Sequence, residues 1–90
     1  MVRIQLPSQL SGLVSNQTYI EVTASNLKEV FSKIDQLAPM VRSQIFDANG
    51  VIRQFVGLFL DERQICEIGD GMQPVHENSQ ILIVMAIAGG

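Results

Sequence analysis

The sequence is poor in the residues that usually carry chemistry. In 90 residues there is one cysteine, Cys66, one histidine, His76, one tyrosine and no tryptophan. A single cysteine excludes an internal disulfide. No cluster of His, Lys or Arg surrounds it in sequence, so the expectation is a small buried hydrophobe and not a reactive thiol. His76 sits in a polar stretch with no Cys or carboxylate set at ligand spacing, so no metal site is expected. Lys and Arg number six and are scattered singly in a chain of net charge −3, which leaves no basic footprint for nucleic acid. The longest wholly apolar run, residues 81–88, is far short of the roughly 20 residues that cross a bilayer, so no membrane span is expected. The opening "MVRIQLPSQL" has neither the apolar centre nor the small-residue cleavage site of a signal peptide, and the expected location is the cytoplasm.

What is present is a globular composition, 47% apolar and 17% charged. Its length suits one domain over residues 1–90. "VRIQL" alternates, with Val2, Ile4 and Leu6 on one face, as a half-buried strand does. Pro7 and "SQLSGLVSNQ" read as a polar loop. "TYIEV" alternates again, placing Thr18, Ile20 and Val22 opposite Tyr19 and Glu21, and should pair with the first strand as a hairpin. The period then changes. Leu27, Val30, Phe31, Ile34 and Leu37 form one helical stripe, with Ser25 as the expected N-cap and Pro39 as the stop. "MVRSQIF" suits a further short helical turn, and "DANG" a tight turn.

The remainder returns to strands. In "VIRQFVGLFLDE", with a start near Gln54, one face holds Val56, Leu58 and Leu60 and the other Phe55, Gly57 and Phe59. Asp61 and Glu62 turn the chain into a short strand, "RQICE", and "IGDGMQPVHENS" is loop. The last strand, "QILIVMA", is apolar on both faces, which places it in the middle of a sheet. The helix stripe should then pack on Val2, Ile4, Leu6, Ile20, Val22, Val56, Leu58, Leu60, Ile81 and Ile83. Leu82 and Val84 point away from it, with Phe59 beside them. An uncovered apolar patch on an open sheet face marks a partner site. Asp61, Glu62, Glu67 and Asp70 read as a solvated acidic edge that can steer the protein to a basic surface. No nucleophile–base pair or cofactor loop is visible, so the chain is not expected to be an enzyme.

The ending, "IVMAIAGG", runs an apolar strand into two glycines. With strand, strand, helix, strand, short strand, strand in 90 residues and a terminal "AGG", the chain resembles the MoaD/ThiS family of ubiquitin-like sulfur carriers. A second stretch, "RQFVGLFLDERQI", is similar to a segment of the cysteine-synthesis carriers. The sequence departs from the family pattern at Asn78-Ser79, where Gly-Asp is customary, at Met85, where proline is common, and at Gly57, where the cysteine-related group commonly has asparagine.

The resemblance implies an α+β, ubiquitin-like β-grasp domain, with a mixed sheet of four to five strands, one main helix across one face, and residues 86–90 as a flexible tail. It also implies a chemistry. A C-terminal carboxylate is ionised at neutral pH and is a poor electrophile. An adenylyltransferase of the ubiquitin-activating type uses ATP to convert it to an acyl adenylate. Sulfide or a persulfide then displaces AMP, leaving a thiocarboxylate on Gly90 that donates sulfur to a biosynthetic enzyme. The acceptor is an activated serine, a molybdopterin precursor, the thiamin thiazole or a specialised metabolite. Gly89 and Gly90 lack a Cβ and can thread a narrow channel in the partner. Phe59, Leu82, Val84, Met85, Ile87 and Ala88 are the expected docking residues. No cofactor is expected on the chain itself, and the free protein is expected to be a monomer. A second reading is a ubiquitin-like modifier conjugated through Gly90 to lysines, and a third is a plain interaction domain with an incidental diglycine.

Overall fold

The computed structural model describes residues 1–12 and 18–85. The elements in chain order are β1 (Val2–Gln5), α1 (Ser8–Ser11), β2 (Tyr19–Val22), α2 (Leu27–Leu37), α3 (Pro39–Ile45), β3 (Val56–Leu60), β4 (Arg63–Gln64) and β5 (Gln80–Met85). The sheet order is β2-β1-β5-β3-β4. β1 pairs antiparallel with β2 and parallel with β5, while β3 is antiparallel to both β5 and β4. The last strand therefore lies at the centre, as its two apolar faces require.

Period-two alternation decides which side is covered. Val2, Ile4, Ile20, Val22, Val56, Leu58, Leu60, Ile81 and Ile83 are all buried and point to the helical side, where Leu6 is buried beside them. The α2 stripe meets them with Leu27, Val30, Phe31 and Ile34, and α3 adds Val41 and Ile45. Phe31 and Phe46 close that layer edge to face, with ring centroids 5.0 Å apart. Proline at the first position of α3 lacks the amide an interior turn would need, so the chain ends α2 and starts again.

Several expectations are corrected. The stretch after Pro7 is not all loop: α1 forms there, and Leu10 is buried because it joins the core. The cap of α2 is Asn26, whose side chain accepts from the Glu29 amide at 2.9 Å, while the Ser25 amide donates to the Glu29 carboxylate at 2.7 Å. Leu37 is 63% exposed, and Ala38 takes the next buried position. The short strand is confined to Arg63–Gln64, and β3 begins at Val56, leaving Phe55 outside it. Cys66 is exposed, not buried.

The loop between β4 and β5 is stitched to the start of α2. The amides of Leu27 and Lys28 donate to the carbonyls of Gln73 and Gly71, at 3.1 and 2.9 Å, and the Val75 amide donates to Ser25. These carbonyls satisfy donors that a helix start leaves without partners. Gly71 has φ +76, and a Cβ there would lie 2.7 Å from the Lys28 side chain and 2.9 Å from its backbone. Only glycine fits.

Candidate functional site: the open face of the sheet

The side of the sheet away from α2 carries no helix among the described residues. Strand register sets what it displays. Leu82 is opposite Gln5 on one side and Phe59 on the other, Gly57 is opposite Val84, and Gln5 is opposite Tyr19. Leu82 and Val84 are 40% and 41% exposed, and Phe59 is half-buried. A Cβ on Gly57 would sit 2.8 Å from a Val84 methyl and 3.3 Å from the Phe59 ring. The missing side chain thus lets Val84 and Phe59 close over Gly57 into a continuous apolar platform with Leu82. Sequence reading identified three of these residues but not the part played by Gly57.

Met85 behaves differently. Its position in β5 puts it on the side of Ile81 and Ile83, and it packs half-buried against the core. Ile87, Ala88, Gly89 and Gly90 lie outside the described residues. The platform therefore gathers Phe59, Leu82 and Val84, and β5 carries the chain from there towards residue 86.

One end of the platform is acidic. Asp61 and Glu62 form the two-residue turn between β3 and β4, both with positive φ, +48° and +73°. The turn is tied to the start of β5 in both directions. The Asp61 amide donates to the Gln80 carbonyl at 2.9 Å, and the Gln80 amide donates to the Asp61 carboxylate at 2.8 Å. Ser79, just before, is buried, and its hydroxyl accepts from the His76 amide at 2.7 Å. This bond, with the Ser79 amide donating to the His76 carbonyl at 3.0 Å, closes the turn over residues 76–79. Glu67 and Asp70 lie on the exposed loop away from this turn. Among the described residues no group of three or more His, Cys, Asp or Glu is arranged to hold a metal ion, and no helix is long and apolar enough to cross a membrane.

A five-stranded mixed sheet with parallel β1 and β5 at its centre, a hairpin on one flank and α2 across one side is the ubiquitin-like β-grasp fold. Solved structures give that class particular relatives. The chain superposes on Mycobacterium tuberculosis CysO with TM-score 0.84 at 16% identity, covering 97% of this chain and 100% of that one. It matches a chain of the Amycolatopsis orientalis BexX/CysO complex with TM-score 0.81 at 14% identity, over 100% of both. Haloferax volcanii SAMP1 aligns with TM-score 0.72 at 10% identity, over 99% and 98%. No protein-family model matches the sequence, and no curated protein matches it. The family resemblance is therefore met at the level of the fold.

Proposed function

We propose that this chain is a sulfur carrier, a protein co-substrate and not an enzyme, whose Gly90 carboxylate is activated and thiocarboxylated by partner proteins in the cytoplasm. The observation that carries this reading is the course of β5. It is the central strand, it exposes Leu82 and Val84 beside Phe59 on the uncovered side, and it runs into "AIAGG". A partner that holds the platform has Gly90 within reach, because the five residues after Met85 span at most about 16–18 Å when extended. The fold shared with the CysO structures supports the reading, and a CysO has been crystallised in complex with BexX.

The activation step is an attack of the Gly90 carboxylate on the α-phosphate of ATP, releasing pyrophosphate and forming a mixed anhydride with AMP. Hydrosulfide then displaces AMP and leaves the thiocarboxylate. The catalytic groups and the ATP belong to an adenylyltransferase of the ubiquitin-activating type, and this chain contributes the platform and the tether. Met85 supports the end of β5 from the core side, while Ile87, Ala88 and Gly89 lead into the partner. The sulfur then passes to a biosynthetic enzyme, with an activated serine as the first acceptor to try.

A modifier conjugated through Gly90 to lysines is favoured by one observation: the Haloferax volcanii and Methanosarcina acetivorans structures of this fold are of small archaeal modifier proteins. Both readings share the adenylate. Intact mass of the protein recovered from cells separates them. The carrier predicts a species heavier by one sulfur-for-oxygen exchange at Gly90, and the modifier predicts isopeptide adducts through that residue. Neither species in cells that express the partners would overturn both.

A further inference from the structure

The acidic end of the platform contains a depression with its own chemistry. Leu82 and Phe59 give its lining an apolar part, and Asp61 and Glu62 line it as well. Gln5, Asn78 and Gln80 complete the lining. Negative charge there is uncompensated. On the same face Arg3 pairs in register with Gln80, but its guanidinium lies over the ring of Tyr19 on β2, 4.5 Å from the centroid. Arg63 pairs with the inward-facing Leu60 and so belongs to the other side of the sheet. The single ion pair among the described residues, Arg42 with Asp35, is on α2 and α3.

We propose that this depression seats one arginine side chain from the partner that docks on the open face. It deepens the preceding reading and rests on it only for the identity of that partner as the activating enzyme. The stem of an arginine suits the Leu82 and Phe59 part of the lining, with its planar head over or beside the ring. The guanidinium donates in a fixed fork, which matches two carboxylates. The Asp61 oxygen that holds the Gln80 amide is already engaged, so Glu62, whose side chain has no partner among the described residues, is the main acceptor. The turn that carries both carboxylates is tied to β5 in the free protein, so the seat exists before the partner arrives.

The test uses isotope-labelled full-length protein and blocked arginine amide as the probe, with blocked citrulline amide as the neutral isostere. The seat predicts saturable amide shifts at Phe59, Asp61, Glu62, Gln80 and Leu82 with arginine and not with citrulline. The affinity should fall about fivefold in Glu62→Gln and weaken in added salt. Asp61→Asn keeps an oxygen for the Gln80 amide and should lower affinity without loosening the turn. Equal shifts from citrulline, or unchanged affinity in Glu62→Gln, would overturn the proposal. So would concentration-dependent shifts at these residues without the probe, which would assign the seat to a second copy of the chain. Neither Gly90 nor ATP takes part, so a failure here leaves the carrier reading standing.

Discussion

Single residues in this protein are constrained mostly by main-chain contacts. Gly71 is the strongest case, because a Cβ would press into the backbone of Lys28 at an already left-handed φ. Gly71→Ala should cost about 2–3 kcal/mol, read as a lowered denaturation midpoint. Ser79→Ala removes the acceptor of the His76 amide at a buried turn and should cost about 1–2 kcal/mol. Glu62 shows the opposite sign. It holds φ +73° in a two-residue turn that favours Asp-Gly, so Glu62→Gly should raise stability by about 0.5–1 kcal/mol. A urea titration that finds Glu62→Gly less stable than the parent would contradict this account of the turn.

At the scale of elements, β5 divides its residues by parity. Leu58 and its cross-strand partner Ile83 are 1% exposed, whereas Leu82 is 40% exposed. Leu58→Ala should therefore cost about 2–5 kcal/mol, while Leu82→Glu should cost less than about 1 kcal/mol and, on the proposed docking, block activation. Chemical denaturation separates the two variants. The same parity made the sheet, its central strand and the platform legible in the sequence, and it also moves Met85 to the core side. What sequence did not reveal depends on tertiary contacts. Ser25 and Asn26 are both competent caps, and Asn26 takes the role while Glu29 holds the amide before it. The stripe drifts off Leu37 because Ala38 turns inward ahead of α3. Leu10 is buried by a short helix that no periodicity announces, and the exposure of Cys66 follows from how its loop lies. The stitching of that loop to α2 uses backbone carbonyls, which leave no side-chain signal beyond Gly71.

For the whole molecule, structure and proposed chemistry meet at one arrangement. Among the described residues the buried core lies on the helical side, so the packing that holds the fold and the proposed docking platform occupy opposite faces of one sheet. Substitutions on the open face should then leave the fold intact, which makes the proposed docking role separable by experiment. The measurement that tests the central claim most directly is formation of the acyl adenylate. Purified protein, ATP and a ubiquitin-activating-type adenylyltransferase from the same cell are mixed, and intact mass is followed. AMP should join the chain at Gly90, be lost to hydroxylamine, and fail to appear when Gly89 and Gly90 are deleted. An intact chain that never acquires AMP, or acquires it equally well without the diglycine, would contradict the account.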